Sequence, residues 1–311
     1  MKKVIPKISI LATLAIALII TFAALLLESL FLLLSFSLII KILVWFIFAV
    51  FISIAITVGF IALSPGFFDA VLALKKMTRF ENFSHPLLLK LAYEAPGTFH
   101  HSINVSIMGQ KAAKSIGADS MLVRVSAYYH DIGKLESPTR FIENQSGEEI
   151  PTIENAEYIR TTAAKIISHI DSGLKIGAEH HLPAEILDMI SEHHGTTKVL
   201  YFFEKAKERG LKIKKTDFRY SGPIPRSKES AILMLADSIE AATRAVPNLT
   251  QEIMDEIVTN TLRDKQTENQ FKNSGLSDQD FETLKKSFTE TLKSIYHQRI
   301  TAKHEQNSDS I

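Results

Sequence analysis

Cysteine is missing from all 311 residues. Its absence excludes disulfide frameworks, thiol nucleophiles and cysteine-held zinc together, and it suits a reducing cytoplasm. An excess of either charge is missing too: 35 Lys and Arg stand against 34 Asp and Glu, a formal net charge of +1. That balance does not supply a broad basic surface for neutralising nucleic-acid phosphates, so polymeric DNA or RNA is not expected as a partner. Strand patterning is scarce as well. From Leu87 onward apolar residues recur mainly at intervals of three and four, which predicts an all-α soluble region.

Charge itself is nearly absent from one stretch. Between Lys7 and Asp69 only Glu28 and Lys41 carry a formal charge, and an apolar run of that length belongs in lipid rather than in the core of a small domain. Membrane spans are expected near Ile8 to Leu27 and Ile42 to Leu63, each long enough to cross at about 1.5 Å of rise per residue. Ser29 to Lys41 is either an interfacial piece or part of a third crossing. A secretory signal peptide fits less well, because the apolar block is longer than a signal core and no small-x-small cleavage site follows it. Lys2, Lys3 and Lys7 before the run, and Lys75, Lys76 and Arg79 after it, place both ends in the cytoplasm and so favour two crossings. Phe67 to Phe83 reads as an amphipathic helix with Val71, Leu72, Leu74, Met77 and Phe80 on its apolar face, either a linker or a signal-transmitting element. The expected organisation is a multi-pass cell-membrane anchor over 1–66 with lipid as partner, a coupling helix over 67–84, a cytoplasmic helical domain over 85–301 and a disordered tail over 302–311.

Within the soluble region the pattern predicts helices over 86–93, 101–116, 120–130, 155–180, 184–194, 198–209, 228–245, 250–263 and 278–300. Gly117, Gly133, Gly195 and Gly210 mark ends and Pro183 a start. Ser277 reads as an N-cap, with Asp278 and Asp280 in the first turn. Glu136 to Asn155 and Leu211 to Lys228 are polar, Pro-containing loops, and loops of that length in a compact domain are often functional.

The sharpest local feature is His130-Asp131-Ile132-Gly133-Lys134, directly after the helical run Val123 to Tyr129. A His-Asp pair alone says little, and a single histidine near a helix end is more often a cap or a surface residue than a ligand. The company is what counts: His101, His169, His193-His194, and Asp237 closing the apolar run Ala231 to Ala236. An unpaired buried carboxylate is costly, so Asp237 implies a salt bridge or a metal. Imidazole with carboxylate suits borderline first-row ions such as Mn, Fe, Co or Zn. These residues can serve two neighbouring ions if one carboxylate bridges them.

The order His, His-Asp, His, His-His, Asp on a helical scaffold resembles the HD superfamily of metal-dependent phosphohydrolases. It resembles most closely the membrane-bound, receptor-type HD proteins that act as cyclic-di-AMP phosphodiesterases. The motifs that carry the likeness are His85-Pro86-Leu87-Leu88, Glu94-Ala95-Pro96-Gly97-Thr98-Phe99-His100-His101-Ser102, Ala127-Tyr128-Tyr129-His130-Asp131-Ile132-Gly133-Lys134, Phe141-Ile142-Glu143-Asn144-Gln145, His193-His194-Gly195-Thr196-Thr197 and Phe218-Arg219-Tyr220-Ser221-Gly222-Pro223. The resemblance implies an all-α HD phosphohydrolase fold behind N-terminal transmembrane helices, hydrolysis of cyclic di-AMP to pApA, and two divalent transition-metal ions, Mn or Fe foremost. It implies that His101, His130, Asp131 and Asp237 hold one ion and that His169, His193 and His194 hold the other, with Asp131 bridging. Asp131 and Lys134 are the implied catalytic pair, Lys134 reaching a phosphate oxygen. His100 rivals His101, but the family ligand directly precedes the Ser and the helix; His85, His180, His181, His297 and His304 lie outside the pattern.

Two departures stand out. The family usually carries seven spans and a large external domain, and after Gln145 it commonly reads Asn-Pro-His-Asp where this chain has Ser146-Gly147-Glu148-Glu149. Two other readings remain: an HD enzyme for cyclic di-GMP or a mononucleotide, disfavoured by the lack of a Gly-Tyr-Pro motif after the ligands, and a non-catalytic nucleotide-binding module, disfavoured by the complete ligand set. Self-association as a homodimer is left open.

Overall fold

The computed structural model describes residues 20–24, 26–28, 31, 38–63, 77–145 and 156–308. The chain separates into two compact units, Met1–Lys76 and Met77–Ile311.

In the first unit, α1 (Leu38–Leu63) is apolar on every side. Its stretch Leu38–Gly59 spans 22 residues at mean hydropathy 2.8, with none of it buried within the chain. At about 1.5 Å per residue such a helix is long enough to cross a bilayer, and a helix without a polar face needs apolar surroundings. It begins at Leu38, ahead of the expected Ile42, because only Lys41 interrupts the apolar run and one lysine near a helix start does not stop it. Most of the expected first span lies outside the described residues, although 20–24 and 26–28 are helical. Of the expected coupling helix, 77–84 are described: 77–80 are helical, whereas 81–84 form a bend and turn, so the helix stops short of its expected end.

The second unit is built from α2 (Pro86–Glu94), α3 (Pro96–Ser115), α4 (Ser120–Tyr129), α5 (Ala156–Ile167), α6 (His169–Glu179), α7 (Ala184–Glu192), α8 (Leu200–Glu208), α9 (Lys228–Arg244), α10 (Gln251–Thr267) and α11 (Asp278–Ser308). Short 3-10 turns at Ile132–Glu136, Pro138–Arg140 and Ile142–Asn144 follow α4. Among the described residues there is no strand, and one isolated bridge joins Lys198 to Arg219.

Local chemistry sets the boundaries. Asp119 caps α4 by accepting from Met121 N at 3.1 Å and Leu122 N at 2.9 Å. Ser227 and Ser230 form a reciprocal box at the start of α9, and Ser277 and Asp280 do the same for α11.

Four of the expected helices differ by more than two residues, α10 among them, since it runs on to Thr267 where 263 was expected. α3 begins at Pro96 rather than at 101, because proline at the first helical position costs no hydrogen bond there. His101 therefore stands inside a helix and not before one. The expected 155–180 helix breaks at Ser168, where ψ flattens to −9° and the hydroxyl turns back onto Lys165 O at 2.9 Å. α11 continues to Ser308 through the segment expected to be disordered, since Ala302, Lys303, Glu305 and Gln306 are good helix formers and no Gly or Pro stops them.

α9 is the central element. Ala231 through Asp237 are all buried, and α9 packs against α3, α4, α7 and α10. Around it Val105, Met108, Val123, Met254, Leu284 and Phe288 close the main core. A second cluster, with Leu87, Leu88, Tyr129, Ile132, Ile186 and Ile190, lies under the turn that follows α4. Asp237 thus sits among side chains worth about 1.5–3 kcal/mol each when buried, on a helix that cannot easily shift.

Candidate metal centre

The elements bring the seven implied ligands into one buried cluster. His101 comes from the interior of α3, His130 from the C-cap of α4 and Asp131 from the next position. His169 opens α6, His193 caps α7 with His194 behind it, and Asp237 projects from α9. All are buried except His194, which is partly exposed. Three groups of ligand atoms lie within 4.8 Å of one another: His101, His130 and Asp237; His169, His193 and His194; and His130, Asp131 and His193.

Three rings are aimed by the same device. His130 Nδ1 meets Ala127 O at 2.7 Å, His169 Nδ1 meets Ile166 O at 2.5 Å, and His193 Nδ1 meets Ile190 O at 2.8 Å. The carbonyls in the last turn of a helix lack helical partners, so α4, α5 and α7 each have one to spare for the ring that follows. A proton donated from Nδ1 leaves the Nε2 lone pair pointing at the centre. His101 lacks such a carbonyl in mid-helix, and its Nδ1 contacts the Glu240 carboxylate instead.

Asp131 divides its two oxygens. Oδ2 lies 3.2 Å from His130 Nε2 and 3.6 Å from His101 Nε2, while Oδ1 lies 3.4 Å from His169 Nε2 and 3.8 Å from His193 Nε2. Asp237 Oδ1 is 3.1 Å from His101 Nε2, and its Oδ2 is 3.5 Å from His194 Nδ1. His130 Nε2 and Asp131 Oδ1 are buried without a hydrogen-bond partner among the described residues, and Asp131 Oδ2 has only an ion pair with Lys134. Orphaned imidazole and carboxylate atoms converging on one point fit a pair of cations.

The titration of the rings follows their neighbours. Burial alone would push His130 down, but Asp131 and Asp237 overcome it and raise its pKa to about 10. His101 is raised against burial by Asp237 and Glu240. Burial lowers His169 and, with His130 beside it, takes His193 down to about 3; burial and His193 hold His194 well below the ordinary range. Burial would raise both aspartates, yet His130 and Lys134 hold Asp131, and His101 and His130 hold Asp237, well below the usual carboxylate range.

Lys134 is not a free cation. Its Nζ lies 2.7 Å from Asp131 Oδ2 and 2.6 Å from Glu143 Oε1, over the Phe141 ring. Glu143 also accepts from Thr98 Oγ1 at 3.2 Å, and Asn144 Oδ1 accepts from Thr98 N at 3.0 Å, capping α3. A Cβ on Gly97 would stand 1.8 Å from Glu143 O, so only glycine admits this turn. Gly133 is as tightly held: a Cβ there would stand 1.8 Å from His169 O.

Other histidines stay outside the cluster. His100, His180 and His181 are exposed, and His85 caps α2; the side chains of His297 and His304 fall outside the described residues. Sequence reasoning passed over Glu240, although it stands one turn beyond Asp237 on the same apolar helix. Glu143 and Tyr220 lay inside quoted motifs without a role; Tyr220 stacks on His194 at 4.2 Å between centroids.

Comparison with known proteins agrees with this architecture. The HD domain family matches residues 98–242. The chain is similar to the cyclic-di-AMP phosphodiesterase PgpH of Bacillus subtilis (strain 168), 39% identical over 249 residues that make up 79% of this chain and 35% of that protein. PgpH of Listeria monocytogenes serotype 1/2a (strain 10403S) is also 39% identical, over 78% of this chain and 33% of that protein. The chain thus spans about a third of the length of the curated relatives it matches. The crystal structure of the L. monocytogenes PgpH HD domain aligns at a TM-score of 0.65 and 40% identity, over 69% of this chain and 100% of that one. The same domain in complex with cyclic-di-AMP aligns at 0.63 and 40%, over 68% of this chain and 98% of that one. With its cluster of histidines and aspartates on an all-helical scaffold, the chain belongs to the HD-domain family, beside the PgpH phosphodiesterases.

Proposed function

We propose that this protein is a metal-dependent phosphodiesterase that hydrolyses cyclic di-AMP to pApA. His101, His130, Asp131 and Asp237 hold one divalent transition-metal ion; His169, His193 and His194, with Asp131 shared, hold the second. The observation that carries the reading is the division of Asp131, one buried oxygen toward each group of histidines, Oδ1 without a hydrogen-bond partner and Oδ2 paired with Lys134 alone. Imidazole mixed with carboxylate suits borderline first-row ions, Mn or Fe foremost here, rather than the all-oxygen coordination that Mg and Ca take. The relatives named as cyclic-di-AMP phosphodiesterases, and the related HD domain solved with that nucleotide, support the choice of substrate.

When bound, the two ions supply a water of lowered pKa as nucleophile and neutralise charge on the phosphate. The chain's part is arrangement. Helix-end carbonyls fix three ring tautomers, and the 141–144 turn pins Lys134 against Asp131. An ammonium has three N–H donors, so Lys134 keeps one for a non-bridging phosphate oxygen after serving Asp131 and Glu143. The described part of the anchor, α1, rests in lipid, and the catalytic unit faces the cytoplasm, in line with the basic residues flanking the apolar run.

The test is product analysis with the purified full chain in detergent, loaded with Mn, given cyclic di-AMP or cyclic di-GMP, beside an Asp131→Ala control. Conversion of cyclic di-AMP to pApA that depends on Asp131 is expected. Cleavage of cyclic di-GMP alone overturns the substrate, and cleavage of neither overturns the activity.

A further inference from the structure

Four buried histidines face the centre, and one is aimed differently. His130, His169 and His193 each donate to a carbonyl three residues back, freed by a helix end. His101 lies six positions into α3, where the carbonyls are taken by the helix itself. Its Nδ1 is served across the core by Glu240 of α9.

Glu240 is built into this position. It is 2% exposed. One oxygen meets His101 Nδ1; the other accepts from Asn104 Nδ2 at 3.2 Å, one turn further along α3. Arg244 Nε stands 3.9 Å from the first oxygen, at the partly exposed end of α9. A purely structural tie between α3 and α9 has no need of a carboxylate. The two helices already share the apolar core through Val105, Met108, Leu233 and Ala236, and an apolar side chain at 240 would pack there without desolvating a charge. A carboxylate behind an imidazole does what packing cannot: it fixes the Nδ1–H tautomer, sends the Nε2 lone pair toward Asp237, 3.1 Å away, and adds electron density to the ring.

We propose that Glu240 is the positioning residue of His101, and that it sets the cation affinity of the His101–His130–Asp237 half of the centre while leaving the His169–His193–His194 half unaffected. The inference rests on the reading of the centre as a metal site. It assigns the two halves separate controls: helix-end carbonyls alone in the second, a carboxylate from the core helix in the first. Loss of such a partner lowers metal affinity by about 10- to 100-fold.

The experiment uses the full chain in detergent, stripped by chelation, with Mn alone as the probe and free Mn followed by electron paramagnetic resonance. His101→Ala and His169→Ala identify which binding step belongs to which half. In Glu240→Ala the step that His101→Ala abolishes weakens about 10- to 100-fold, while the step that His169→Ala abolishes keeps its affinity. Glu240→Gln, which keeps an acceptor oxygen but not the charge, falls between the two. Circular dichroism and thermal unfolding accompany each variant, and Glu240→Gln decides by the same criterion if Glu240→Ala does not fold. Unchanged affinity in both steps, or equal weakening of both, overturns the role of Glu240 with the metal reading intact. Wild-type protein that takes up no Mn overturns both.

Discussion

The two halves of the centre present one ligand type in opposite protonation states. In the first, His101 and His130 face Asp237 and Asp131 closely enough to be raised, His130 to about 10. In the second, burial wins: His169 and His194 are lowered and His193 falls to about 3. The contrast teaches that a histidine's readiness to bind a cation is decided by what stands beside and behind it. On the proposed reading, protons on the rings of the first half must leave before a metal binds, while the rings of the second are already neutral.

The largest effect should come from abolishing the contrast at its shared residue. Asp131→Ala takes a carboxylate from both halves, and hydrolysis should fall by at least about a thousandfold, with both Mn-binding steps weakened; loss of one step alone would mean that Asp131 is not shared. Lys134→Met acts more on one side, because Nζ neutralises the Oδ2 edge of Asp131. Hydrolysis should drop by about 10- to 100-fold while Mn binding in the first half tightens, and equal tightening in both halves would blur the distinction.

A finer probe is proton release. With the halves isolated by His169→Ala and His101→Ala, Mn titrations at pH 8 in buffers of different ionisation enthalpy should show about one proton or more leaving the first half and essentially none leaving the second. Equal release would break the comparison. The smallest effect is on the stability of the metal-free protein. His193 has a depressed folded pKa, so the unfolded chain takes up the proton, and stability is lost as the pH falls below about 6.5 toward 3. His130 has a raised one, so its contribution is present below about 6.5 and lost as the pH rises toward 10. His193→Gln should therefore flatten the acid side of a plot of Tm against pH by a few degrees and leave the alkaline side alone.

Much of this centre was legible because cations demand particular side chains. Asp237 on an apolar helix, and a His-Asp pair at the end of another, have few inexpensive explanations. The family order then singled out His101 over the exposed His100. What stayed hidden is whatever depends on contacts across the core. Glu240 backs His101, 139 residues away in the chain, and no spacing rule connects them, although the burial argument used for Asp237 applies to it equally. The start of α3 was misplaced because Pro96 reads as a break until it is seen to open a helix. The division at Ser168 was missed because apolar periodicity continues through it, while the ring of His169 depends on that division for its carbonyl. In the first unit, α1 was legible by length and apolarity alone, and most of the other expected span lies outside the described residues.

Gly133 has a bearing on all of this. Where its side chain would be, the backbone of α6 passes, 1.8 Å from an imagined Cβ at His169 O and 2.5 Å at Gly173 N. The interval between Asp131 and His169 is therefore gauged by main chain against main chain, with no rotamer in between to take up slack. A centre ruled in this way takes its width from the packing of two backbones, and any side chain at 133 would have to widen it.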